Sequence, residues 1–373
     1  TGSVQWGCFN GMETGLFTAL TLLALEAFLS RRMGLCALWL GLAGLARPEG
    51  LILAALIWTM TFVEGLVSAR AVQRRKLLFL SMAVLAGFVP SLINWILTGT
   101  TAAAGLQAKS WWLNVPYSPE EVVRSILLFY RRIILGVFLG WEPAWRGFVP
   151  PGLLLFSVLG WAVLGVYRHW RTLVLTALWF LGGTLLTATL ITATWHKGRY
   201  QVPFMPVLII LAVCGLVFLQ RRATRRWQNV LLGLAVLFLF TSSAYSTARF
   251  VRSYHGAVST VARQQLTVAD WRQENTPADT RVGVHAAGAL RYVGGRPTYD
   301  LIGLTTADAA VPWRNGSGSV FETMEHSPMR PDYLAIYQDA FSIPYIASTD
   351  LFDEDLFRVD VPDYAVASAG PVQ

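Results

Sequence analysis

Clusters of basic residues lie in every second connection between the long apolar segments of this chain. Each cluster closes one apolar run and opens the next. The clusters are Arg31-Arg32, Arg70 with Arg74-Arg75-Lys76, Arg168 with Arg171, and Arg221-Arg222 with Arg225-Arg226. Short loops rich in Lys and Arg lie on the cytoplasmic side of a bilayer. The pattern therefore predicts that all four clusters share the cytoplasmic face and that the remaining connections lie outside.

The composition agrees with a polytopic membrane protein. Hydrophobic residues make up 54% of the chain and charged residues only 14%, and the mean hydropathy is +0.47. The net charge of +8 is concentrated in the interhelical clusters, which favours membrane topology over nucleic-acid binding. No nucleic-acid partner is expected. Three widely spaced cysteines indicate neither a disulfide framework nor a metal pair.

A bilayer core of roughly 30 Å takes about 20 helical residues, so the apolar runs predict about eight spans. They lie at about residues 14–30, 33–46, 50–67, 77–97, 150–167, 172–194, 203–220 and 229–247. The second run is short and ends at Pro48, which would break a continuing helix, with Gly50 allowing a tight return. Residues 1–248 are thus predicted to form a polytopic α-helical membrane domain.

The longest connection in this half, residues 98–148, contains a further apolar run from Ile126 to Leu139. Arg131 and Arg132 interrupt that run at its middle, where two charges would be costly at the centre of a bilayer. An interfacial helix is therefore predicted instead of a ninth span. This choice also keeps the later basic clusters on the cytoplasmic face.

The composition changes near Arg249, which predicts a soluble α/β domain over residues 249–373. Short apolar segments at Val282 to His285, Thr298 to Ile302 and Tyr333 to Tyr337 read as strands, with a helix at Ala286 to Val293. Because eight spans that start outside also end outside, this domain is expected to face the periplasm or cell exterior.

The predicted sidedness places several ionisable residues on the outer face. They are Glu13, Arg47, Glu49, Lys109, His196, Lys197 and Arg199. Glu13 at a helix start is either a first-turn acid or a carboxylate that takes a proton or holds a metal ion. Arg47 and Glu49 form either a loop salt bridge or, for Arg47 with the other cations, part of a phosphate site.

Aromatic and acidic residues outside this group have two readings each. Trp111 and Trp112 flank the outer boundary, where an aromatic belt is the ordinary role and sugar stacking the alternative. Asp300 ends a predicted strand, so it either caps a turn or faces the membrane site.

The motifs resemble those of bacterial GT-C superfamily glycosyltransferases, the polyprenyl-phosphate-dependent group that includes protein mannosyltransferases, the lipid A aminoarabinose transferase and arabinofuranosyltransferases. Three motifs carry the resemblance in the membrane half: Gly11-Met12-Glu13-Thr14, Leu45-Ala46-Arg47-Pro48-Glu49-Gly50 and His196-Lys197-Gly198-Arg199-Tyr200. In the soluble half, Gly288-Ala289-Leu290-Arg291-Tyr292 and Asp300-Leu301-Ile302-Gly303-Leu304 resemble the family's extracytoplasmic domain.

The resemblance implies an enzyme that transfers a hexose or pentose, with inversion, from a polyprenyl-phosphate donor. The acceptor would be a cell-envelope glycan, lipid or protein at the outer face of the cytoplasmic membrane, and membrane lipid would be a further partner. Glu13 matches the family's second acidic position. The donor phosphate would be bound by Arg47, Lys109, Lys197, Arg199 and Tyr200. Sugar or acceptor contacts would come from Glu49, Trp111, Trp112, His196 and Asp300.

The family's principal catalytic Asp has no counterpart in this sequence. Since the chain starts at Thr1, the expectation is that about three helices and that acid lie upstream, and that this fragment alone lacks full activity. No cofactor is required by the motifs, although Glu13 would be the ligand of a divalent cation such as Mg²⁺ or Mn²⁺. A lipid-linked glycan flippase or transporter and a non-catalytic scaffold remain as alternatives. A transporter would be expected to place polar residues at mid-membrane depth, and the predicted spans contain few of them.

Overall fold

The computed structural model describes residues 2–9, 11–68, 73–114, 116–142, 145, 148–337, 354–365 and 370–373. Two residues used in the sequence analysis lie outside these ranges. They are Thr1, on which the expectation of an upstream segment rests, and Arg70 of the second basic cluster. The chain divides into two compact units. The first is Thr1–Thr101 with Ile126–Phe250, and the second is Ala102–Ser125 with Val251–Gln373.

The first half of the chain is helical, and every predicted apolar run contains a helix. The helices are α1 (Gly2–Phe9), α2 (Thr14–Leu29), α3 (Met33–Ala46), α4 (Glu49–Ser68), α5 (Gln73–Gly87), α6 (Val89–Thr98), α7 (Ala104–Lys109), α8 (Pro119–Arg131), α9 (Leu153–Val166), α10 (Trp170–Thr187), the single turn α11 (Trp195–Gly198), α12 (Met205–Arg222) and α13 (Arg225–Thr260). The fourth run forms two helices because Pro90 opens α6 and cannot continue α5. Helix α1 was not predicted.

Within the described residues, five helical segments are long and apolar enough to cross a membrane. They are Glu49–Leu66, Arg74–Thr98, Trp170–Thr187, Trp195–Arg222 and Arg225–Asn275. Three shorter apolar helices, Thr14–Leu29, Met33–Ala46 and Leu153–Val166, accompany them. The helical fold is therefore compatible with the predicted membrane protein.

Helices α9 and α12 pack at the closest approach that glycine allows. A Cβ built on Gly160 would overlap the Leu211 carbonyl oxygen, and one on Gly215 would lie 2.6 Å from the Phe156 carbonyl oxygen. Ser157 donates a hydrogen bond from Oγ to the Leu208 carbonyl oxygen across the same contact, at 2.7 Å. Small residues let helix backbones meet in this way in apolar surroundings.

The turn between α3 and α4 follows from its proline and glycine. Arg47 precedes Pro48 and is extended, with φ −152° and ψ 144°, because proline disfavours the helical conformation in the residue before it. Helix α4 starts directly afterwards at Glu49. A Cβ on Gly50 would lie 2.5 Å from the Ala43 carbonyl oxygen, so the tight return requires glycine here.

The predicted interfacial segment is helical, and its helix starts before the apolar run. Helix α8 begins seven residues earlier than Ile126, at Pro119, and continues as a π-helix over Arg132–Phe138. Ile133 and Phe138 are buried in the first unit, where the Phe138 ring lies 5.1 Å from that of Phe180. The apolar side chains after Arg132 therefore pack against α10. The interfacial position of the segment stays a prediction.

The second unit contains the three predicted strands, which form a parallel sheet. Its strands are β1 (Val282–Val284), β2 (Thr298–Asp300) and β3 (Tyr333–Ala335), in the order β2-β1-β3. Val282 pairs with Thr298 on one side and with Tyr333 on the other. The helices of this half are α14 (Thr267–Asn275), α15 (Ala287–Tyr292), α16 (Ala310–Asn315) and α17 (Ser317–Glu325), and a π-helix, Val261–Leu266, joins α13 to α14.

His285 lies directly after the central strand and is buried. Its Nδ1 accepts a hydrogen bond from the Tyr337 backbone N–H at 3.1 Å, and the two rings stack with centroids 5.6 Å apart. Burial lowers the pKa of His285 from 6.5 to about 4. The imidazole is therefore neutral in the folded protein at pH 7, and it serves as an acceptor.

This burial predicts acid-sensitive folding. The unfolded chain binds a proton at His285 below about pH 6.5, whereas the folded chain does so only near pH 4, so stability is present above 6.5 and is lost as the pH falls toward 4. The loss amounts to about 3 kcal/mol. Urea unfolding of the full chain in detergent, followed by tryptophan fluorescence between pH 7.5 and 4.5, measures it. His285→Asn keeps an acceptor without the titration. Parallel pH profiles for the two proteins would contradict the prediction.

Candidate functional site

Three segments of the first unit that are distant in sequence meet at one end of its helices. Glu13 precedes α2, Arg47 lies in the turn between α3 and α4 with Glu49 starting α4, and Arg199 and Tyr200 follow α11. The Arg47 guanidinium connects all three, because it contacts both carboxylates and the Tyr200 ring. Five of the residues singled out from the sequence are thereby brought together.

Arg47 is the buried centre of this cluster. Its Nη2 lies 2.7 Å from Glu49 Oε1, and its Nη1 lies 3.2 Å from Glu13 Oε1. The side chains of Arg47 and Glu49 are 6% and 10% exposed, whereas that of Glu13 is 44% exposed. Burial disfavours the charged guanidinium, but the neighbouring Glu49, with Glu13 and Tyr200, raises the pKa of Arg47 above its ordinary value.

Aromatic rings support the Arg47 guanidinium. Its Cζ lies 5.1 Å from the centroid of the Tyr200 ring and 5.6 Å from that of the Phe17 ring. Phe17 in turn packs against Trp179, with ring centroids 6.5 Å apart. The cation is thus seated on the aromatic core of the first unit, where a cation–π contact is stronger than at an exposed site.

Arg199 is buried beside the same tyrosine but has a different environment. Its Cζ lies 4.8 Å from the Tyr200 ring centroid, its Nη2 donates to the Tyr200 hydroxyl at 3.0 Å, and its Nη1 donates to the Met12 sulfur. Among the described residues no carboxylate pairs with Arg199, and its Nε has no hydrogen-bond partner. Tyr200 therefore lies between one guanidinium that is paired with two carboxylates and one that has no ion pair among the described residues.

A left-handed backbone turn precedes Arg199. His196, Lys197 and Gly198 have φ values of 50°, 57° and 66°. Two consecutive non-glycine residues in this region cost roughly 1–2 kcal/mol each, so the surrounding packing must hold them. A Cβ on Gly198 would lie 2.9 Å from the Phe148 ring, which explains the glycine. Lys197 is half-buried beside another cation, Arg249.

Several residues at this site were not singled out from the sequence. Phe17 and Met12 contact the two guanidiniums, and Arg249 approaches Lys197. Gln201 is fully buried, and its backbone N–H donates to the Gly198 carbonyl oxygen at 2.9 Å, which closes the left-handed turn. In the sequence, the signal that could have pointed to Gln201 was its position directly after the Arg199-Tyr200 pair.

The remaining candidates belong to the second unit. Lys109 is the last residue of α7, Trp111 and Trp112 form the following turn, and Asp300 ends β2. Asp300 is buried, and its carboxylate organises the loop after the strand. It accepts hydrogen bonds of 2.9–3.2 Å from the backbone N–H groups of Ile302, Gly303, Leu304 and Thr305 and from the Thr305 hydroxyl.

That arrangement is the turn cap, the first of the two readings of Asp300. Binding of the donor phosphate by Lys109 stays a prediction, and so does contact of Trp111 and Trp112 with the sugar or acceptor. A metal role for Glu13 also stays a prediction. In the described part of the chain, no group of three or more His, Cys, Asp or Glu side chains comes together to hold an ion.

One sequence family matches part of the chain. A family model described as "Domain of unknown function (DUF8728)" matches residues 253–369, which lie within the second unit. That segment is similar to the family. No curated protein and no solved structure matches the chain.

Proposed function

We propose that this protein is a polyprenyl-phosphate-dependent glycosyltransferase of the cytoplasmic membrane. It crosses the bilayer eight times, with the Glu13, Arg47 and Arg199 cluster and the second unit on the outer face. It transfers a sugar, with inversion at the anomeric carbon, to a glycan, lipid or protein of the cell envelope.

The observation that carries this proposal is the contrast between the two buried guanidiniums. Arg47 is neutralised by Glu49 and Glu13, whereas Arg199 has no ion pair among the described residues. A buried charge is costly unless an opposite charge accompanies it. The planar guanidinium fork of arginine fits phosphate oxygens, so a donor phosphate supplies the missing partner.

The chemistry needs charge stabilisation at the phosphate more than it needs an acid. The bond between the anomeric carbon and the phosphate oxygen breaks, and the phosphate leaves with the electron pair. The acceptor oxygen forms the new bond to carbon as its proton passes to a carboxylate base. Arg199 stabilises the departing phosphate, and the exposed Glu13 carboxylate orients the acceptor hydroxyl or holds a divalent cation.

The test is binding of a polyprenyl phosphate to the full chain in phosphatidylcholine nanodiscs, followed by transfer assays with a panel of polyprenyl-phosphate sugars. Arg199→Ala should weaken binding by about tenfold or more, because the fork and its charge are lost. Arg199→Lys should recover only part of it. Arg132→Ala, which removes an exposed arginine of the same unit, is the matched control. Unchanged binding by Arg199→Ala would refute the phosphate assignment.

A further inference from the structure

Two arginines of the second unit lie side by side at the ends of two of its helices. Arg272, in the last turn of α14, donates a hydrogen bond from Nη2 to the Leu290 carbonyl oxygen of α15 at 2.7 Å. Arg296 donates from Nη2 to the carbonyl oxygens of Gln273 and Thr276, both at 2.9 Å. The charges of the two guanidiniums interact. Cations are favoured at helix C-termini, so capping explains where the two side chains lie.

Capping leaves several N–H donors of this pair unused. Arg272 is only 3% exposed, and in the described part of the chain its Nε and Nη1 have no hydrogen-bond partner. The buried Nε of Arg296 has none there either. The ion pairs among the described residues include neither arginine. A buried charge is costly without an opposite charge, and a neighbouring like charge adds to that cost.

A turn of two glycines lies against the Arg272 guanidinium. A Cβ built on the buried Gly294 would overlap Arg272 Nη2, so this position has no room for a side chain. Gly295 is exposed and left-handed, with φ 57°, and among the described residues the nearest atom to a Cβ there would be the Val293 carbonyl oxygen, 4.0 Å away. Glycine permits a close approach between backbone and ligand. The side of the pair that faces this turn is therefore the approach for a ligand.

We propose that Arg272 and Arg296 bind a phosphate group that carries two negative charges. Arginine N–H groups match phosphate oxygens in geometry and charge. A phosphate monoester has close to two negative charges at pH 7 and so balances both guanidiniums, whereas a carboxylate balances only one. Inorganic phosphate and the monoester headgroup of a lipid share this chemistry. Both arginines belong to the second unit, so the inference does not rest on the proposed function.

The test is a calorimetric titration of inorganic phosphate into the full chain in phosphatidylcholine nanodiscs near pH 7. The wild-type protein should bind phosphate, and sodium chloride at equal ionic strength should give no such signal. Arg296→Gln should weaken the affinity by about tenfold, because one charge and one donor are lost. Arg291→Ala removes an exposed arginine of α15 and is the matched control, with wild-type affinity expected.

Arg272→Met distinguishes a binding residue from a helix cap. This variant should lose phosphate binding. Without phosphate its thermal midpoint should be at least that of the wild-type protein, because an unpaired buried charge has been replaced by an apolar side chain of similar length. Where Arg272→Met fails to fold, Arg296→Gln decides. Unchanged affinity in Arg296→Gln would refute the site.

Nanodiscs that contain phosphatidic acid, without free phosphate, identify the source of the phosphate group. A midpoint that rises with phosphatidic acid, and does so only while Arg272 is present, assigns the site to a lipid headgroup. Binding of soluble phosphate without that rise assigns it to a free phosphate. A wild-type protein that responds to neither overturns the inference. Phosphate binding should persist in Arg199→Ala. If Arg199→Ala abolishes it and Arg272→Met does not, the phosphate binds at the proposed donor site, which refutes this inference and supports the proposed function.

Discussion

Replacing Gly160 by leucine should prevent the first unit from packing. A Cβ at this position overlaps the Leu211 carbonyl oxygen, which is backbone and cannot rotate away. The α9 and α12 axes would have to separate, and the Ser157 to Leu208 hydrogen bond would break. Overpacking costs about 1–3 kcal/mol where side chains can shift, and a clash with backbone exceeds that range. Little folded protein is therefore expected.

The measurement is the yield of monodisperse protein after detergent extraction, together with its thermal midpoint. Gly182→Leu is the matched control, because Gly182 is exposed on α10 and a Cβ there meets no atom within 4 Å. It should give wild-type yield. Gly160→Ala should already lower the midpoint. A Gly160→Leu protein with normal yield and midpoint would show that α9 and α12 are not packed this closely.

Much of the fold could be predicted from local sequence pattern. The apolar runs locate the helices of the first half, since long hydrophobic stretches have few other structures available. The three strands were also predicted. The role of Gly160 was not, because a glycine within an apolar run looks the same whether it faces lipid, as exposed Gly182 would, or another helix. Helix α1 was missed because eight residues without strong periodicity give no signal.

The candidate site was predictable only in part. The alternation of the basic clusters predicted that Glu13, Arg47 and Arg199 share one face. In the structure Glu13 contacts Arg47, and both guanidiniums lie over the Tyr200 ring. Sidedness cannot show which charges pair, because that depends on distances between segments that are remote in sequence. From the sequence, Arg47 and Arg199 therefore looked equivalent. The structure distinguishes them, since Glu49 neutralises one of them.

Arg47→Ala should destabilise the first unit by about 3–5 kcal/mol, the range for removing one partner of a buried ion pair. The Glu49 carboxylate, 10% exposed, would remain without its cation. Glu13 contributes little to this figure because it is 44% exposed and screened by water. Glu13→Gln should accordingly change stability by less than about 0.5 kcal/mol. The thermal midpoint of the full chain in detergent measures both.

A third variant separates the loss of a pair from the creation of an orphaned charge. Arg47→Met with Glu49→Leu replaces both partners by apolar side chains of similar size, and such replacements are often neutral or stabilising. The double variant should recover most of the stability that Arg47→Ala loses. If it unfolds as easily as Arg47→Ala, the guanidinium stabilises the fold chiefly through Phe17 and Tyr200 instead of through Glu49. If the double variant is stable but no longer binds a polyprenyl phosphate, the Arg47 and Glu49 pair serves the donor site, since the pair would then be dispensable for folding.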